Sequence, residues 1–187
     1  MKKSNIILTI AIVAIIAVAV VLFIVFKPAA SNFTNIDSAD KLVEIVNNIY
    51  EKQTMEMPML QTMPIEVTDK DMVKMFTGVE DNTKFEYVVA SEPMMSSQAY
   101  SLVIAKVKDG VDTNAVAKEM NENVDARKWI CVTAEKVYTT SSGNIVFLIM
   151  TNENTAKPIY NTFKELAGGV GKEFERVGET IELPAEG

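Results

Sequence analysis

The 187-residue chain contains no histidine, and this excludes more chemistry than any residue present supplies. Ser-His-Asp and Cys-His catalysis depend on a base that titrates near neutrality. Zinc sites of the H-E-x-x-H type need two histidines on one helix face. Cysteine is nearly missing as well. A single residue, Cys131, rules out an internal disulfide, and it lies too far from the N-terminus for acylation of a leader. Between Trp129-Ile130 and Val132 it reads as a buried strand residue. Basic residues are outnumbered, 18 against 25 acidic, so the surface repels nucleic acid and anionic lipid headgroups. There is no glycine-rich phosphate loop.

The long hydrophobic run falls at the start. Met1 to Asn5 precedes IILTIAIVAIIAVAVVLFIVF, Ile6 to Phe26, which is 21 residues with Thr9 as the one polar member. About 20 apolar residues at 1.5 Å each cross a hydrocarbon core of roughly 30 Å. A cleaved signal peptide would have a shorter core and end at a small-x-small site, whereas Lys27-Pro28 interrupts just before Ala29-Ala30. The run therefore predicts an uncleaved transmembrane anchor over 6–26, with 1–5 cytoplasmic. Lys2 and Lys3 precede the span and Lys27 alone follows it, which places the rest of the chain outside. Beyond Lys27 lie all 25 acidic residues and 15 basic ones, a net of −10. The expected location is a bacterial cell membrane, single-pass, with an extracytoplasmic domain.

After a polar linker (27–36), hydrophobic periodicity predicts one α+β domain over 37–167 and an acidic, glycine-rich tail over 168–187. Leu42, Ile45, Val46, Ile49 and Tyr50 form a helical stripe after Asp37-Ser38. Thr68-Asp69-Lys70-Asp71 has the shape of a capping box. It opens a short helix carrying Met72, Val73, Met75 and Phe76, which Gly78 stops. Phe85 to Val89 and Tyr100 to Val107 read as strands, and Asp112 or Thr113 caps a helix with Val116, Met120 and Val124. Trp129 to Tyr138 and Ile145 to Met150 read as a hairpin bent at Ser142-Gly143; the second strand, IVFLIM, is apolar on both faces. The last helix carries Ile159, Phe163 and Leu166, with Pro158 in its first turn, and Thr180 to Leu183 makes a possible edge strand. Strands in hairpin pairs with helices between them predict a two-layer domain: a mainly antiparallel sheet of four to five strands with helices on one face.

The stretch FEYVVASEPMMSSQAYSLVIAKVKDGVDTNAVAKEM, followed by a Trp-led hairpin and the helix PIYNTFKEL, resembles a family of small extracytoplasmic domains of Gram-positive bacteria. These are lipid-anchored or single-pass and have no assigned activity. The resemblance covers roughly 38–166, and it implies an exported fold but no functional residue. Unlike the lipid-anchored members, this chain has no cysteine to acylate.

Few motifs hint at a site. Ser38-Ala39-Asp40-Lys41 matches S-x-x-K, but without S-D-N and K-T-G partners it reads as a helix cap. The carboxylate pairs Asp69/Asp71, Glu80/Asp81 and Glu119/Glu122 could serve a hydrolase, yet they lie at predicted caps, turns and a helix surface. The segment TMEMPMLQTMP places thioethers at Met55, Met57, Met59 and Met63, and Met94-Met95 could add another. Met-x-Met-x-Met on an extended chain aims sulfurs to one side, and soft sulfur selects Cu(I). Methionine also fills irregular gaps in a core, and Met72 and Met75 read as core positions. The expected function is therefore a binding or scaffolding module of the envelope, not an enzyme, with no cofactor and an envelope protein or peptide as partner. Cu(I) binding is the alternative, and a carboxylate hydrolase comes third.

Overall fold

IVFLIM sits at the heart of the domain. In the computed structural model, which describes residues 31–95 and 97–178, this strand (β5, Ile145–Thr151) is buried along its whole length. The elements run α1 (Ala39–Glu51), β1 (Leu60–Ile65), α2 (Lys70–Thr77), a 3₁₀ turn (Asn82–Lys84), β2 (Phe85–Pro93), β3 (Ser101–Val107), α3 (Thr113–Asn123), β4 (Lys136–Ser142), β5, α4 (Glu153–Ala167) and β6 (Phe174–Val177). The strands form one sheet in the order β1-β2-β3-β5-β4-β6, and every neighbouring pair is antiparallel. The anchor over 6–26 and the edge strand at Thr180 to Leu183 lie outside the described residues. Among the described residues no helix is long and apolar enough to cross a membrane.

The α+β class and the antiparallel sheet agree with the sequence reading, but the numbers of strands and layers do not: the sheet has six strands, not four to five, because the methionine segment and the start of the tail each add an edge strand. Helices cover both faces of the sheet. On one face Val89, Leu102, Ile104, Tyr138, Phe147 and Ile149 meet α1 and α4 through Leu42, Ile45, Ile49, Ile159 and Phe163. On the other, Val88, Ala90, Val103, Ala105, Val146, Leu148 and Met150 meet α2 and α3 through Val73, Phe76, Val116 and Met120. The cause is the period of two along a strand: β3 and β5 are apolar at successive positions, so each presents an oily surface on both sides and both need cover. At roughly 1.5–3 kcal/mol per fully buried aliphatic or aromatic side chain, leaving either face bare would offset the stability of the whole domain.

Other elements differ in detail. β1 emerges from the methionine segment, which reads as an irregular connector. Its ladder to β2 runs from Leu60↔Pro93 to Ile65↔Val88, and an edge strand tolerates Pro64. β4 starts at Lys136, not Trp129, because residues 124–135 form a loop. Cys131 is exposed there with φ +62°, not buried in a strand. α4 starts at Glu153, one turn earlier than expected, with Asn152 Oδ1 accepting from Thr155 N at 3.0 Å, so Pro158 falls in the second turn. Met75 is exposed, whereas Met72 packs on the core. The start of the acidic tail contributes β6, which pairs with β4. The capping box behaves as read: Asp69 Oδ1 accepts from Met72 N at 3.0 Å. Gly78 ends α2 with φ +74°, where a side chain would run into the backbone of Asn123 and Val124.

The two ends of the sheet can be told apart by Ser31. At the near end, Ser31 lies against Gly143 in the β4–β5 turn, and Asn32 N donates to Ala167 O at 2.9 Å. Lys106 Nζ donates to Ile36 O at 2.7 Å, and Phe33 packs on Phe163. At the far end, the start of β1, the end of β2, the start of β3 and the end of β5 come together.

Candidate site at the far end of the sheet

Four segments converge at the far end: the methionine run after α1, the β2–β3 connection, the 124–135 loop and the start of α4. They enclose an open groove of about 510 Å³ with Met57, Tyr100, Val132 and Thr155 in its walls. Its acidic members are Glu56 and Glu135, and no lysine or arginine lines it. Glu135 Oε2 accepts from Glu153 N at 3.0 Å, which fixes the loop to the N-terminus of α4 where a negative charge is favoured.

Beneath the groove, Tyr100 Oη donates to Tyr50 Oη at 3.0 Å. Burial pushes the Tyr50 phenol up to about 12 and Tyr100 well above its usual value, since neither phenolate could be solvated there. On the opposite side of the sheet, Lys128 holds the loop. Its Nζ makes an ion pair with Glu92 and donates to Ser101 Oγ at 3.2 Å, and it lies 4.5 Å from the centre of the Phe76 ring. Desolvation lowers its pKa, against the opposing pull of Glu92. Trp129 Nε1, also buried, has no acceptor among the described residues.

The structure separates the candidate methionines. Met55 and Met57 are half-buried against the α1/α4 core, Met63 packs on the α2/α3 core, and Met59 projects into solvent. The alternation that would align three sulfurs breaks at Pro58, where the chain turns into β1. Met59 instead meets Met94: Met94 N donates to Met59 O at 3.0 Å, extending the β1–β2 ladder by one step. Directly opposed residues of such a pair have Cβ atoms roughly 5 Å apart.

The far end also gathers exposed apolar side chains. Among the described residues, six large hydrophobic side chains stand exposed. Four of them belong here: Met59 (77 %), Ile130 (74 %), Met95 (70 %) and Met94 (63 %); Val177 (67 %) stands at the same end but on the opposite edge strand, β6. The sixth, Met75, is on α2.

The paired carboxylates of the sequence do not face one another. Asp69 and Asp81 cap helices, Glu80 pairs with Lys74, Glu119 with Lys84 at 2.6 Å, and Glu122 with Lys118 at 3.6 Å. Lys41 of the S-x-x-K motif bonds Glu44 at 2.9 Å, and the Ser38 side chain makes no cap bond. No group of three or more histidine, cysteine or carboxylate side chains among the described residues is placed to hold a metal ion.

Glu56, Glu135 and the Lys128–Glu92 pair were not visible as a site in the sequence, since their partners lie tens of residues away. The one local signal was the density of methionine between Met55 and Met95. Comparison with protein-family models, curated proteins and solved structures finds no match to this chain.

Proposed function

We propose that the chain is a membrane-tethered binding module, anchored through 6–26 with its N-terminus inside and its α+β domain outside the cell membrane. Its partner is a protein or peptide of the cell envelope. The reading rests on one observation: among the described residues, four of the six exposed large apolar side chains (Met59, Met94, Met95 and Ile130) lie on the β1–β2 corner and the 124–135 loop, at the end of the sheet farthest from Ser31. Exposed apolar side chains gathered at one place mark contact surfaces, and methionine adapts to varied partners. On a tethered domain this end projects away from the bilayer. Binding is favoured over catalysis because the acidic pairs serve caps and ion pairs, and the chain has no histidine to act as a base.

The test is a photo-crosslinking amino acid placed in living cells at Met94 and, as a control, at Asn144 of the near end. Discrete adducts from position 94 and none from 144 are the expected result. Equal labelling at both, or none at either, would remove the far end from the proposal.

Cu(I) binding is the second reading, favoured by the Met59–Met94 pair with Met95 next to it. Titration of the full-length chain with Cu(I) against a chromogenic competitor decides it. Retention that disappears in Met59→Ser/Met94→Ser is expected if sulfur holds the ion.

A further inference from the structure

The geometry points to the chemistry of the partner: the far-end groove takes an extended peptide segment that carries lysine or arginine between apolar residues. This rests on the binding-module reading above and names what the bound segment must contain.

The charges carry the argument. Glu56 and Glu135 line the groove with no cation among the lining residues. Three lysines near it have acidic partners of their own. Lys128 is buried against Glu92, Lys52 pairs with Glu165 at 3.4 Å, and Lys136 pairs with Glu175. The groove walls therefore carry carboxylates and no cationic side chain, and the net −10 of the chain beyond Lys27 adds a field that steers cations toward them. An anionic or neutral segment gains nothing from these carboxylates.

The walls specify the rest. Met57, Pro58, Ala99, Tyr100 and Val132 give the groove apolar surface, and Met59 and Met94 stand just outside it. Alternating basic and apolar side chains on an extended peptide would match both features at once. Addition of a strand to the sheet edge suits this domain less well. β1 carries Pro64 and follows Pro58, while β6 is four residues long and presents Glu175 and Arg176. A second copy of the chain is disfavoured because two such acidic ends would repel each other.

The experiment uses the full-length chain in neutral detergent and three labelled hexapeptides: alternating leucine and lysine, alternating leucine and glutamate, and alternating serine and lysine. Fluorescence anisotropy at low salt is expected to rank the leucine–lysine peptide at least about fivefold above the other two. Glu56→Gln/Glu135→Gln should weaken it by about fivefold, whereas Glu66→Gln/Glu122→Gln, with the same change of net charge elsewhere, should leave it intact. Because Glu135 also caps α4, Glu56→Lys alone serves as a second variant, with circular dichroism verifying the fold. Equal loss in both double variants reduces the effect to bulk charge and overturns the proposal, as does equal binding of the leucine–glutamate peptide. Concentration-dependent dimerisation through the groove would overturn it in favour of self-association. Adducts at position 94 in cells without selective peptide binding would sink the basic-peptide assignment and leave the binding module standing.

Discussion

The two ends of the sheet are finished by different means. At the near end, residues 31–37 are laced to the domain. Asn32 bonds the last turn of α4, Lys106 and Tyr87 donate to Ile36 O and Asp37 O at 2.7 Å each, and Phe33 covers Phe163. An open groove exists there too, but its one cation, Lys106, is paired with Glu86 at 2.8 Å. At the far end the connections are longer, methionines and Ile130 stand in solvent, and the groove keeps its acidic charge. Order at that end comes from two buried polar contacts, Tyr50–Tyr100 and Lys128–Glu92, which hold the loops without covering them. Apolar surface is thus hidden where the chain enters the domain and displayed where it does not. A domain shaped only by stability would hide it at both ends.

The contrast depends on a rigid centre, and the largest effect tests that. Phe147 is fully buried in β5 and stacks on Phe163 with ring centroids 4.3 Å apart. Phe147→Ala should cost about 3–5 kcal/mol by urea denaturation, a large share of the roughly 5–15 kcal/mol available to a domain of this size. A loss under 1 kcal/mol would mean that the α1/α4 face is loosely filled, and the distinction between a fixed centre and an open end would fail.

The next effect is alkaline. Tyr50 holds its proton in the folded state up to about 12, while in the unfolded chain it ionises near 10. The folded state thus binds more protons in that window. Its advantage is full below pH 10 and declines as pH rises toward 12, by about 2–3 kcal/mol. Tyr50→Phe should remove this share of the alkaline decline, leaving that of Tyr100, and lose about 1 kcal/mol at neutral pH with the hydrogen bond to Tyr100. Urea midpoints of the two proteins between pH 9 and 11.5 should converge and then cross. Parallel curves would show that solvent reaches the tyrosine pair, so that the far end is open below the groove as well as at its rim.

How much of this could be read in advance depends on the distance between interacting residues. Local signals were legible: Asp69 and Gly78 bound α2, Asp112 caps α3, and the stripe Leu42-Ile45-Val46-Ile49 fixes the buried side of α1. IVFLIM is legible as a central strand, and a strand apolar on both sides demands two covers, but which helices supply the second cover is set by contacts distant in sequence. Cys131 was misplaced because Trp-Ile-Cys-Val has strand composition. Those residues sit in a loop tied down by Lys128 to Glu92, a residue 36 positions away, a contact that no local window of sequence contains. The groove was illegible for the same reason, being built from four segments whose nearness is a product of the sheet order.

The smallest effects divide the methionine run itself. A uniform packing segment would make Met55, Met57 and Met59 equivalent, and a thioether site would make them cooperate. The structure supports neither: Met57 is half-buried on the α1/α4 core and Met59 is solvated next to Met94. Met57→Ser should therefore cost about 1 kcal/mol, and Met59→Ser less than about 0.5 kcal/mol, when each is measured by thermal and urea unfolding. In the double variant the two losses should add, because Met57 packs on the core and Met59 is solvated. Equal losses would place Met59 in the core and strip the far end of its leading apolar contact. A stabilising Met59→Ser would sharpen the comparison further, because an apolar side chain retained at a cost to stability in water is retained for contact with something other than water.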